Sequence, residues 1–201
     1  MLDKKYNTQE KEMKWMNYWE ENNIYEFKRD ARKIYSIDTP PPTVNGKIHI
    51  GHIFSYSQAE MIARYKRLRG YNVFYPFGFD DNGLPSERLV EKEQGQKAHE
   101  IGRENFSKLC YETTDKYEEE FKKLFYRAGF SADIENAYKT VSDSSAKISQ
   151  LSFIELAEKN ACYHKESPAL WCNECLTSIA QAELETKTIK TTFNYINFET
   201  T

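Results

Sequence analysis

Three observations predict an α/β protein built on a parallel sheet. A short β-branched run, Ile34 to Asp38, is bounded by proline. A helical pattern follows from Ile53 to Arg69, and a second apolar run, Tyr71 to Phe77, begins after the closing glycine, Gly70. Strand, turn, helix and strand in that order make one β-α-β unit, whose crossover is right-handed. Loops that leave the carboxyl ends of neighbouring strands are where open α/β sheets bind ligands. The loop from Pro40 to His49 and the loop from Gly78 to Gly83 are therefore expected to face one crevice.

The remaining elements follow in chain order. Residues 8 to 28 carry Met13, Trp15, Met16, Tyr18 and Trp19 at helical spacing, with Thr8 as N-cap and an irregular turn at Asn22-Asn23. A stripe of this kind is ordinarily core. In the helix 53–69, Phe54, Ala59, Met61, Ile62, Tyr65 and Leu68 are expected to cover the sheet, while Arg64, Lys66, Arg67 and Arg69 suit the negative end of the helix dipole. Pro85 marks the first turn of a helix after Gly83. Residues 105 to 128 read as a helix with Phe106, Leu109, Cys110, Tyr117, Phe121, Leu124 and Phe125 inward, Glu118-Glu119-Glu120 solvated, and Gly129 as the residue past its end. A further helix spans 142 to 160, with Ser142 or Asp143 as cap and Ile148, Leu151, Phe153, Ile154, Leu156 and Ala157 inside.

Composition sets limits on function. At 201 residues, 39% hydrophobic and 29% charged, the chain can bury a sizeable core. A net charge of −3 gives no bulk basic signal, so charge alone does not suggest a nucleic-acid partner. No run reaches membrane-spanning length, and the start, Met1-Leu2-Asp3-Lys4-Lys5, lacks the apolar centre of a signal peptide. The expectation is a cytoplasmic protein that does not use a membrane. In such a compartment Cys110, Cys162, Cys172 and Cys175 argue for metal binding or buried thiols over disulfides. Cys172 and Cys175 have the spacing of a zinc knuckle, yet one pair is half of a four-ligand site.

The first loop has the residues to bind a phosphate. Pro40, Pro41 and Pro42 stiffen it and remove backbone donors. The helix that begins near His49-Ile50-Gly51-His52 offers unpaired N–H groups and the positive end of its dipole to an anion. His49 and His52, three apart, lie on the same side of the first turn, and Gly51 lets a flat ligand approach the backbone. Imidazole donors aimed at phosphate oxygens fit phosphoryl-type transfer, each worth ~2.7–4 kcal/mol by analogy with oxyanion-hole donors. A lone pair of histidines would more readily be caps or core, and a lone Gly-x-Asp loop a surface turn. Their combination, with PPPTVNG before one and GLPSE after the other, leaves that bland reading in the minority. His99 and His164 lack such context and are assigned no role.

His49 to His52 spells the HIGH signature of class I aminoacyl-tRNA synthetases. PPPTVNGKIHIGH is similar to the valyl branch of that family, and GFDDNGLPSE resembles the GxDxxG loop of the valyl, isoleucyl and leucyl enzymes. Asn82 stands where many relatives have histidine, and Thr43 where bacterial valyl enzymes have asparagine; both fit a valyl subgroup. The resemblance implies a Rossmann-like catalytic domain with flanking helices, and ATP-dependent activation of valine followed by transfer to tRNA(Val). His49 and His52 would be the catalytic pair, with His49, Gly51 and His52 binding ATP, which enters with Mg2+ as substrate, and Pro40, Pro41, Thr43 and Asp80 binding the amino acid. Asp80 would take the substrate ammonium.

The resemblance also divides the chain into an N-terminal helical segment (1–33), the first half of the catalytic domain (34–166), a zinc-knuckle-like connection (167–190) and the start of an inserted editing domain (191–201). In this reading Thr192 to Phe198 is the insert's first strand and a structural Zn2+ at Cys172 and Cys175 is incomplete. No counterpart of the family's lysine-rich KMSKS loop is present, so a monomeric N-terminal piece with little activity alone is expected. The alternatives are an isoleucyl or leucyl fragment, a different HIGH-type nucleotidyltransferase, and a non-catalytic relative that only binds a nucleotide or a protein.

Overall fold

The computed structural model describes residues 6–199. The polar N-terminus (1–5) and the last two residues of the predicted segment 191–201 lie outside the described residues. The chain divides into two compact units between residues 153 and 154.

In the first unit, α1 (Thr8–Glu21) precedes β1 (Ile34–Ser36), α2 (Ile50–Leu68), β2 (Asn72–Phe74) and β3 (Pro76–Phe79). Then come α3 (Leu84–Gln94), the single turn α4 (Ala98–Ile101), α5 (Arg103–Arg127), β4 (Asp133–Lys139) and α6 (Asp143–Glu158), which runs on past the division. All pairings in this unit are parallel, as the β-α-β reading requires. β2 lies on β1 from Ile34↔Asn72 to Ser36↔Phe74, whereas β3 lies on β4, with Phe79 opposite Lys139. The single predicted run 71–77 is thus two short strands, and the change of partner falls at Pro76, which has no N–H to give to a ladder. β4 was not anticipated. Its sequence, DIENAYK, is mostly polar because only Ile134 of it is fully buried.

The core is aromatic. Tyr56 of α2, Phe77 and Phe79 of β3, Phe121 and Phe125 of α5, and Phe130 form one cluster, with Phe77 and Phe125 at 4.9 Å and Phe125 and Phe130 edge to face at 5.1 Å. Such pairs add ~0.5–1.5 kcal/mol each beyond their area. Gly78 lies among them because the Tyr138 ring occupies the space a Cβ would need.

Several predicted faces turn out differently. In α1 the cap is Asn7, and Met13, Trp15 and Tyr18 are about half exposed, so the stripe is not core. In α2 the inward residues are Tyr56, Glu60 and Ala63, while Phe54, Met61, Ile62, Tyr65 and Leu68 are exposed. The polar members of the inner face are there because they have partners. Glu60 accepts from Arg64 Nε at 2.7 Å and from the Ser131 amide at 2.9 Å; Arg64 donates to the Gly129 carbonyl and Arg67 to Ser131. The basic residues therefore tie α2 to the segment after α5 in addition to suiting the dipole. Glu118 is buried, paired at 2.8 Å with Lys139, so the expected solvated run is exposed only at Glu119 and Glu120. In α6, Ile148, Leu151, Phe153, Ile154 and Leu156 are all exposed.

The second unit contains a hairpin, β5 (Trp171–Cys172) and β6 (Thr177–Ser178), antiparallel. Residues 192–198 form no strand. An extended run with no partner to accept its ladder bonds has nothing to hold it as a strand. No helix among the described residues is long and apolar enough to cross a membrane.

Candidate functional site

The two loops of interest are stitched side by side. Thr43 and Asp80 form a parallel bridge, with Val44 N donating to Asp80 O at 2.8 Å and Asp80 N to Pro42 O at 2.9 Å. The first loop is anchored further where the Tyr56 hydroxyl donates to Pro40 O and Ser86 Oγ to Val44 O at 2.9 Å. Three chain segments thus end together, since Thr140, just past β4, donates its amide to Phe79 O at 3.1 Å. Asp80 occupies the middle position. Its Oδ2 accepts from Thr43 Oγ1 at 3.2 Å, and its Oδ1 from Thr140 Oγ1 and the Asn82 amide, each at 3.4 Å.

The histidines close the same loop. His49 is the N-cap of α2, its Nδ1 accepting from Gly51 N at 3.1 Å, while His52 Nδ1 accepts from His49 N at 3.4 Å. This reciprocal arrangement is a capping box made of two imidazoles. It also fixes both tautomers. A ring nitrogen that accepts a backbone N–H carries no proton, so in each neutral ring the proton is on Nε2, which remains a free-facing donor. The rings lie 4.2 Å apart. Burial first, and the neighbouring His49 second, pull the His52 pKa below the usual imidazole value, which favours the neutral form the cap needs.

Gly51 has a tighter reason to be glycine than the sequence revealed. It lies inside α2, and a Cβ there would come within 2.9 Å of His49 Cε1 and Nδ1. The ring that caps the helix needs that space. Between the loops, Phe121 touches both His52, at 6.4 Å between centroids, and Phe79, at 6.3 Å. Phe121 thus packs against the ring of His52 and against Phe79, the residue before Asp80.

Pro40 is exposed, Pro41 half-buried and Pro42 buried. Of the residues expected at the amino-acid pocket, Thr43 and Asp80 touch directly and Pro40 is held by Tyr56. A cleft of about 500 Å3 opens on the other flank of the second loop, lined by Asp81, Asn82, Gly83, Arg103, Phe106 and Thr114 among others, and does not include His49, His52 or Asp80. Asp81 is buried there. Burial, then the nearby Glu118 carboxylate, push its carboxyl up to about 7.

Sequence reasoning missed Tyr56, Thr140 and the Asp81–Glu118–Lys139 group. Lys139 also meets Asp115, and the paired carboxylates raise its pKa despite burial. For Glu118 a signal was present: it continues the inward stripe Thr114, Phe121, Phe125 at helical spacing.

At the hairpin, Cys175 N donates to Cys172 Sγ at 3.3 Å, and this donor lowers the Cys172 pKa. The turn suits a thiolate pair. Among the described residues, however, no third His, Cys, Asp or Glu joins them, and Cys162 and His164 are not brought in. Two ligands do not fit the four-coordinate ion of a structural zinc site. Among the described residues no disulfide joins Cys110, Cys162, Cys172 or Cys175.

Residues 14–196 match the model of the class I tRNA synthetases (I, L, M and V). A valine–tRNA ligase of Rickettsia conorii (strain ATCC VR-613 / Malish 7) is 47% identical over 199 residues, 98% of this chain and 24% of the relative. One of Wolbachia sp. subsp. Brugia malayi (strain TRS) is 46% identical over 200 residues, 100% of this chain and 23% of the relative. The chain thus spans about a quarter of the length of these curated relatives. Among solved structures, the agnB2 LeuRS of Agrobacterium radiobacter K84, in a ternary complex with tRNA and LeuAMS, is similar with a TM-score of 0.72 and 24% identity, covering 89% of this chain and 21% of that one. That likeness concerns the fold.

Proposed function

Because the chain belongs to the family of class I tRNA synthetases, we propose that its paired loops form the amino-acid and α-phosphate side of a site for valine activation. In that reaction a valine carboxylate oxygen attacks the α-phosphorus of ATP, the bond to the β-phosphate bridging oxygen breaks, and pyrophosphate leaves. The acyl group then passes to a hydroxyl at the 3′ end of tRNA(Val), and the adenylate leaves as AMP.

The observation that supports this reading most strongly is the joining of the two loops through Thr43 and Asp80. Asp80, held on both oxygens, receives the ammonium. His49 and His52 donate through Nε2 to oxygens around the α-phosphorus, where charge accumulates as the bond to pyrophosphate lengthens. Chemistry of this kind asks for positioning and charge stabilisation more than for covalent help. Donors already held by a capping box need no reorganisation at that moment. Gly51 completes the ATP-facing turn, Pro40 and Pro41 wall the amino-acid side, and Mg2+ accompanies the ATP phosphates. The enzyme so described acts in the cytoplasm as a monomer.

A thermal-shift titration with valyl- and isoleucyl-sulfamoyl-adenosine tests the assignment. Ligand at 100 times its Kd stabilises the native state by ~2.7 kcal/mol. A clear preference for the valyl compound is expected; equal shifts would remove valine as the substrate, and no shift with either would remove the site.

A further inference from the structure

Thr140 lies outside every motif, yet it is the residue that links Asp80 to the third segment of the site. Its hydroxyl oxygen accepts the Asp81 amide at 3.0 Å. A hydroxyl has one proton, and with the oxygen engaged as acceptor that proton is directed at Asp80 Oδ1, 3.4 Å away. Its backbone is fixed by the bond from Thr140 N to Phe79 O at 3.1 Å. From the opposite side Thr43, itself bridged to Asp80, donates to Oδ2 at 3.2 Å. Two threonines from flanking segments thus grip the two oxygens of one carboxylate.

An ionised carboxylate offers about four lone-pair sites. Three are engaged: Oδ1 accepts from Thr140 and the Asn82 amide, and Oδ2 from Thr43. The site left over is on Oδ2. We propose that Thr140 is a positioning residue for amino-acid recognition, which turns Asp80 so that its one unengaged lone pair, on Oδ2 beside Thr43, meets the substrate ammonium. This rests on the reading of Asp80 given above. Thr140 itself touches no substrate; without it one of the three bonds that set the carboxylate's rotation about Cβ–Cγ is lost, and the free lone pair is held less firmly in one direction.

The test compares two ligands on the 201-residue chain. One is valyl-sulfamoyl-adenosine. The other is its deamino counterpart, 3-methylbutyryl-sulfamoyl-adenosine, which keeps the side chain and nucleotide but lacks the ammonium. Calorimetric titration of parent, Thr140→Val and Thr140→Ser gives six affinities. Thr140→Val is expected to weaken the ammonium-bearing ligand about tenfold, ~1.4 kcal/mol, and the deamino ligand less than threefold, with Thr140→Ser restoring the parent ratio. Valine also leaves the Asp81 amide unpaired, and a disturbance of the loop from that cause would weaken both ligands alike. Equal losses, or failure of serine to restore the ratio, would overturn the inference while leaving the site intact. If the parent chain binds both ligands equally well, the role given to Asp80 fails and Thr140's role with it.

Discussion

Replacing Gly51 by alanine separates two contributions that ordinarily reinforce each other. In an unencumbered helix this exchange stabilises by ~0.8–1.0 kcal/mol, because alanine has less backbone freedom to lose. Here the new Cβ would stand 2.9 Å from His49 Cε1 and Nδ1. The ring must swing away, and the bond from Gly51 N to His49 Nδ1 breaks. Loss of an N-cap costs ~1 kcal/mol. The two terms cancel to within ~0.5 kcal/mol, the usual scatter of such values. Urea unfolding should therefore show an almost unchanged midpoint. The imidazoles should change more. With Nδ1 no longer accepting, the fraction of His49 in the Nε2–H tautomer falls towards that of an unconstrained ring, which nitrogen-15 spectra of the ring report directly. Binding of an adenylate analogue should fall at the same time. A gain of about 1 kcal/mol with the His49 tautomer unaltered would refute the reasoning, because it would mean that the ring is not held by the cap.

Three further outcomes are expected. His52 titrates below its ordinary value in the folded chain, so it contributes stability that is complete above about pH 6.5 and is lost as pH falls through the folded value. His52→Gln keeps an acceptor at the third helical position and should remove this acid loss without destabilising the chain at neutral pH, as measured by urea unfolding across pH 5 to 8. Asp81, raised to about 7, works in the opposite sense: its contribution is complete below the unfolded carboxyl value and is lost as pH rises through 7. Asp81→Asn should be more stable than the parent at pH 8, with a flatter stability profile between pH 4 and 8; a variant less stable at pH 8 would show that the carboxylate is tolerated. Glu60→Ala removes the acceptor of Arg64 and of the buried Ser131 amide, and should cost about 2–3 kcal/mol in chemical unfolding, since bonds to charged groups are at stake.

The loops were legible because local chemistry specifies them. Proline rigidity, the glycine that closes α2 and paired histidines at a helix start can each be read from a few neighbouring residues, and the parallel order of β1 and β2 follows from the helix between them. What could not be read depends on partners far along the chain. Glu60 and Arg67 point inward because Ser131 lies there to receive them, 71 and 64 residues away, so hydrophobicity alone assigned the wrong face of α2. Glu118 looked like one of three solvated carboxylates; its spacing from Thr114, Phe121 and Phe125 marks the inner face, but the partner that lets a carboxylate stay there, Lys139 on β4, lies far along the chain. Thr140 has no local signature, because its meaning comes from a neighbouring strand end. In the site, the motif placed the histidines on one turn but not their ring nitrogens. That the Nδ1 atoms are occupied by the backbone, which leaves Nε2–H to act, required the geometry. The exposed apolar residues of α6 show the limit in the other direction, since periodicity reveals a face but not what covers it.

The central claim is that the two loops act as one binding surface, and ligand-induced shifts in the side-chain resonances of His49, His52, Thr43 and Asp80 test it most directly. Titrating the chain with valyl-sulfamoyl-adenosine should move the imidazole Nε2 signals and the Asp80 carboxylate carbon along a single saturation curve. Movement at the histidines without Asp80, or at Asp80 without the histidines, would show two independent sites and contradict the account.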